Sequence, residues 1–225
     1  MVRILLALLL LALLVLPGVW VKQVLRRHAG QRDDFPGTGG DMAQHLIGKL
    51  GLEGVRVEET AGGDHYDPSS RCVRLTKDKL EGKTLTAVVV AAHEVGHALQ
   101  HARGEALFNT RTGLAHVAIW MQRIAPVALV ISPLMATVAP GFARLTLILA
   151  VASMLMGTLM HLVTLPVEWD ASFGKALPAL EQGEYLGPED MRNARKILTA
   201  AALTYVAGSL MSLLNLGRWL RYLRR

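Results

Sequence analysis

His93 and His97 stand four residues apart with Glu94 between them, inside the stretch Ala87 to His101, AVVVAAHEVGHALQH. At helical period both imidazoles leave the same face one turn apart, where they can grip one metal ion. In such an H-E-x-x-H arrangement two neutral histidines bind zinc, and the glutamate, which is not a ligand, takes a proton from the water that the metal activates. These residue types predict one Zn2+ per chain, in a geometry that manganese or cobalt could also occupy. The apolar run from Ala87 to Ala92 reads as a buried helix, which holds a site more rigidly than a loop, and Thr84 is placed to cap it.

A catalytic zinc site usually has three protein ligands and a water. The longer pattern H-E-x-x-H-x-x-G-x-x-H is excluded, because Gln100 and Arg103 stand where it needs Gly and His. His101 lies one turn beyond His97, but the rise along a helix makes three such histidines poor joint ligands, so it is expected to face solvent or to support a ligand. A glutamate from a second helix is the remaining common solution. In LPVEWDAS, Pro166 suits the start of a helix whose first turn carries Glu168. Asp170, two residues on, points across that helix and competes, since only one of the two can face the ion.

These groups need elements to hold them. The 225 residues are 52% hydrophobic, and the mean hydropathy is +0.33. Long uncharged runs carry that apolarity, and Trp20, Trp120, Trp169 and Trp219 each lie near the end of one, as in an interfacial belt. The net charge of +6 sits beside these runs and reads as membrane-flanking, not as a nucleic-acid face. The expected fold is therefore mainly α, a multi-pass membrane protein of about four transmembrane helices with a small α+β metallopeptidase domain at the membrane surface. Its divisions are a transmembrane anchor at 4–21, the first part of the metallopeptidase domain with the HEVGH helix at 22–113, and a transmembrane hairpin at 124–167. The second part of that domain, with the third ligand, follows at 168–196, then a transmembrane helix at 197–216 and a basic tail at 217–225. The single cysteine, Cys72, excludes an internal disulfide framework.

Within the first part, Asp41 to Leu52 reads as a short amphipathic helix, and Val55–Val57 and Arg71–Leu75 as two short strands. The connection AGGDHYDPSS between the strands concentrates Asp64, His65, Tyr66 and Asp67, which fit either turn chemistry or contact with substrate. His65, Tyr66 and Tyr185 are candidates to stabilise an oxyanion, and an extended substrate is expected beside the Val55 or Arg71 strand. His161, inside the third apolar run, fits a functional group or a structural hydrogen bond.

DHYDP (Asp64 to Pro68), VAAHEVGHALQH (Val90 to His101), LPVEWDAS (Leu165 to Ser172) and AAALTYVA (Ala200 to Ala207) resemble, in that order, the YugP-type neutral zinc metallopeptidases of bacterial membranes. The layout is more distantly similar to CAAX prenyl proteases and HtpX-like membrane proteases. The resemblance implies a membrane-integrated zinc endopeptidase of gluzincin type, with His93, His97 and Glu168 as ligands and Glu94 as the catalytic residue. The distant relatives place an aspartate four residues after the ligand glutamate. Here that position is Ser172.

The expected activity is hydrolysis of membrane or juxtamembrane protein segments, with Glu94 as general base and the lipid bilayer as a second partner. His65, Tyr66, Asp67, Asp170 and His101 stand as groups that support the site or touch substrate. The alternative is a non-catalytic zinc-binding membrane adaptor or chaperone-like factor. An intact Glu94 argues against it, because a structural zinc site needs no base and is normally closed by a fourth ligand. The basic residues on the motif side favour a cytoplasmic active site in the bacterial membrane. The sequence leaves the oligomeric state open.

Overall fold

The centre of the molecule is the motif helix, α4. In the computed structural model, which describes residues 2–136 and 139–223, the order is α1 (Val2–Arg27), α2 (Gly39–Lys49), β1 (Arg56–Glu59), β2 (His65–Asp67), β3 (Cys72–Leu75), α3 (Lys77–Leu80) and α4 (Leu85–Ala102). There follow α5 (Ala106–Ala136), α6 (Pro140–Trp169), a π-helical segment (Asp170–Ala176), α7 (Leu177–Gln182) and α8 (Pro188–Leu223).

Helix α4 starts as its sequence requires, with the Thr84 hydroxyl accepting a hydrogen bond from the Ala87 N–H at 3.0 Å. Thr38 and Asp41 form a reciprocal capping box on α2, so that helix begins two residues before the expected Asp41. Both faces of α4 are buried. Val88, Val89, Ala92, Val95 and Leu99 share one core with Leu46 of α2, Val73 and Leu75 of β3, and Phe108, Val167, Leu180 and Ile197 from the second half of the chain.

The sheet has three strands in the order β1-β3-β2. β3 is central, parallel to β1 and antiparallel to β2, with Tyr66 opposite Val73. β2 falls in the segment expected to be a connection. Its three residues are too short to show alternation, and it is a strand because β3 offers it an edge.

One expectation is overturned. Among the described residues, no helix combines the length and apolarity needed to cross a membrane, so the multi-pass architecture of about four transmembrane helices is not supported. The apolar runs lie within α1, α5, α6 and α8, but each helix continues past its run into polar residues. α1 ends in Arg26 and Arg27, and α5 opens on a turn holding Asn109 and Arg111. α6 runs on to Glu168, and α8 begins with Glu189, Asp190, Arg192 and Arg195. These polar halves build the core and the site with α4, through buried Phe108, Val167, Ala194 and Ile197. A hydropathy window scores apolarity without seeing what a helix packs against.

Candidate metal centre

His93 and His97 leave α4 on one face, their rings 4.8 Å apart. Glu168 arrives from the last turn of α6. Pro166 does not start a new helix there but lies inside α6, which runs on without a break. Glu168 Oε2 stands 3.2 Å from His93 Nε2 and 3.4 Å from His97 Nε2. Those separations match the edge of about 3.3 Å that a tetrahedron of ligands 2.0–2.1 Å from one zinc ion requires. Each of the three offers one ligand atom, and all of these lie within 4.8 Å of one another. Two neutral imidazoles and one carboxylate, with a direction left open, fit a zinc ion that also takes water.

The far nitrogens of both histidines are held. His97 Nδ1 donates to Gln100 Oε1 at 2.9 Å, and the Gln100 amide in turn donates to the Val167 carbonyl and to Asp170 Oδ2. Asp170 also takes Lys175 Nζ at 2.7 Å, and Lys175 reaches Glu105 at 3.0 Å. His93 Nδ1 faces Ser172 Oγ at 3.1 Å. Partners of this kind fix which imidazole nitrogen meets the metal. Asp170 therefore acts through Gln100 on His97, and Ser172 takes the place beside His93. Sequence reading missed Gln100, whose signal was its position one turn after His97.

The π-helical segment sets this register. Gly96 lets it approach: a Cβ there would come within 2.7 Å of the Ala171 carbonyl oxygen. That contact brings Ser172, four residues after Glu168, against α4.

Glu94 is 7% exposed and is not in the ligand cluster. Burial pushes its carboxyl up to about 7, with the Glu168 and Asp64 charges adding to the shift and His93 and the Tyr66 N–H opposing it. Burial would also raise Glu168, but hydrogen bonds from His93 and His97 and their charges outweigh it, holding that carboxyl well below the usual range.

β2, an outer strand of the sheet, packs against α4, so it borders the site. Tyr66 Oη bonds His101 Nδ1 at 2.9 Å, and His101 stacks on Phe108. His101 thus ties the strand to α4 instead of joining the cluster. The Asp67 carboxylate is occupied by Ser69, Ser70 and Arg74, and His65 Nδ1 by the Gly63 carbonyl. Tyr185 pairs with His45 and Lys49. The Arg71 segment leads into central β3, whose two edges are taken, and so cannot receive a substrate strand.

A helix carrying two histidines, completed by a carboxylate from a distant helix, is a donor set that could hold a zinc ion. The chain belongs to the zinc metallopeptidase family described as "Putative neutral zinc metallopeptidase", whose model matches residues 3–224. It is similar to the "Putative membrane protease YugP" of Bacillus subtilis (strain 168), at 35% identity over 184 residues, covering 81% of this chain and 79% of that protein. No solved structure gives a significant match.

Proposed function

We propose that the chain is a gluzincin-type zinc endopeptidase in which Glu94 is the general base and His93, His97 and Glu168 hold the metal. The observation that carries this reading is the convergence of three ligand atoms within 4.8 Å, with the Glu94 carboxyl buried beside them and outside the ligand set. Zinc bound there supplies Lewis acidity, polarising the scissile carbonyl and acidifying water. Glu94 takes the proton of the attacking water and delivers it to the leaving amine nitrogen. Gln100 and Ser172 hold the two imidazoles in the tautomer that keeps Nε2 free for the ion. The substrate extends along the free edge of β2, where main-chain hydrogen bonds align it past Glu94.

The substrates are membrane or juxtamembrane protein segments, presented at the bacterial cell membrane. The name of the Bacillus relative supports this, as do the apolar side chains exposed along α1, α5 and α6, among them Leu16, Trp120, Val130 and Ile148. The basic end of α1, Arg26 and Arg27, supports the cytoplasmic face, whose anionic leaflet attracts such residues.

The test compares the wild type with Glu94→Gln and Glu168→Ala, measuring zinc content and cleavage of casein with and without lipid vesicles. The reading expects Glu94→Gln to keep its zinc and lose cleavage, and Glu168→Ala to lose both. Cleavage retained by pure Glu94→Gln would remove Glu94 from its role.

A further inference from the structure

Glu168 divides its two oxygens. His93 and His97 both address Oε2, whereas Oε1 faces Arg111 of α5, whose Nη2 lies 3.7 Å away. That separation is an ion pair but too long for a hydrogen bond. Among the described residues it is the one ion pair Arg111 makes, and its side chain is 30% exposed. Among the described residues, the guanidinium thus brings donors to the edge of the site without spending them.

Tyr205 of α8 occupies the neighbouring position. α6 and α8 pack together where Ser209 Oγ lies 3.3 Å from the His161 carbonyl oxygen and Gly208 gives room to the His161 ring. Glu168 lies seven residues beyond His161 along α6. The same distance back along an antiparallel α8 from Ser209 ends at Ala202, which puts Tyr205 within one turn of Glu168. Its phenol couples electrostatically to Glu168, Glu94 and Arg111, which agrees with that placement near all three.

Peptide hydrolysis moves charge onto the carbonyl oxygen, and prearranged donors at that point lower the barrier. The residues that sequence reading offered for this task are committed elsewhere: His65 to Gly63, the Tyr66 hydroxyl to His101, and Tyr185 to His45 and Lys49. We infer that Tyr205 and Arg111 are the pair that donates hydrogen bonds to the scissile carbonyl oxygen as it becomes an oxyanion.

In this step the water oxygen bonds to the carbonyl carbon, the π electron pair moves onto the carbonyl oxygen, and the water proton passes to Glu94. The phenol O–H and a guanidinium N–H receive the new charge, and neither group changes its protonation. When the electron pair returns, the C–N bond breaks and the proton on Glu94 goes to the amine nitrogen.

The inference rests on the peptidase reading, and its test uses the full chain with Tyr205→Phe, Arg111→Lys and Arg111→Met. Three quantities are read: cleavage of casein, zinc affinity by chelator competition, and the Kd of an N-acyl phosphinic dipeptide of phenylalanine and leucine, which mimics the tetrahedral state. For Tyr205→Phe we expect kcat to fall about 100-fold or more and phosphinate binding to weaken in parallel. Zinc affinity should stay within about twofold, because no ligand atom is removed and the known supports of the histidines are intact. Arg111→Lys keeps the charge without the fork and should recover part of what Arg111→Met loses. Zinc affinity falling with activity, both restored by excess zinc, would overturn the inference and assign the pair to holding Glu168. Unchanged phosphinate binding would also overturn it. A wild-type chain that binds zinc and cleaves nothing refutes the peptidase reading, while phosphinate and zinc binding in the variants still decide the donor pair.

Discussion

The Gln100 side chain spans from His97 Nδ1, 2.9 Å from its Oε1, to Asp170 Oδ2, 2.8 Å from its Nε2. One amide thereby joins His97 on α4 to the segment that follows Glu168 of α6. Because its nitrogen is held by two acceptors, the Val167 carbonyl and Asp170, only its oxygen can turn to the imidazole.

Replacing this amide should loosen the metal without unfolding the chain. Gln100→Ala is expected to weaken zinc affinity by about 10- to 100-fold, the usual effect of removing such a support. Chelator competition at pH 7 measures it, and an affinity equal to that of the wild type would show that His97 is oriented by something else.

Ser172→Ala removes the group facing His93 Nδ1 at 3.1 Å. The hydroxyl is a single and longer contact, so the loss in zinc affinity should be smaller than for Gln100→Ala, and the two losses should combine almost additively because the partners are separate. A double variant no worse than Gln100→Ala alone would contradict that independence.

Gly96→Ala places a methyl where the Ala171 carbonyl oxygen lies, 2.7 Å from the new Cβ, and backbone cannot rotate away as a side chain can. Overpacking of this kind costs about 1–3 kcal/mol. Urea denaturation should show the loss, together with weaker zinc binding because Ser172 is pushed from α4. Full stability in this variant would mean that the π-helical segment shifts freely.

Zinc removal should destabilise the folded chain by mass action. With free zinc at about a thousand times Kd, binding adds about 4 kcal/mol, so chelation should lower the melting temperature by several degrees. Glu168→Ala should melt at the same temperature with and without chelator, and a shift as large as that of the wild type would point to another site.

The Asp67 carboxyl is held well below the usual aspartate range, first by its hydrogen bond with Ser69 and then by Ser70 and Arg74, against the opposing effect of burial. Its folded pKa is depressed, so the stability it contributes is present above the unfolded value of about 4 and is lost as the pH falls below it. Asp67→Asn should be less stable than the wild type at pH 7 by about 2 kcal/mol, and the gap should narrow toward pH 3. A gap independent of pH would show that the Asp67 charge does not contribute.

The sequence by itself determined what lies within one turn of helix. His93, Glu94 and His97 share a face because 3.6 residues make a turn, Thr84 caps because its hydroxyl reaches the third N–H on, and both hold whatever the rest of the chain does. Glu168 was legible from its residue type, but the helix start expected at Pro166 was not, because α6 runs straight through it. Only the tertiary structure decided the remainder. It made a strand of His65–Asp67 by giving it β3, and put Gln100 and Ser172 behind the histidines. It also brought Arg111 to Glu168, and drew the ends of the four apolar helices into the core. Those arrangements depend on which distant surfaces bury one another, and a local pattern of residues carries no record of its partner.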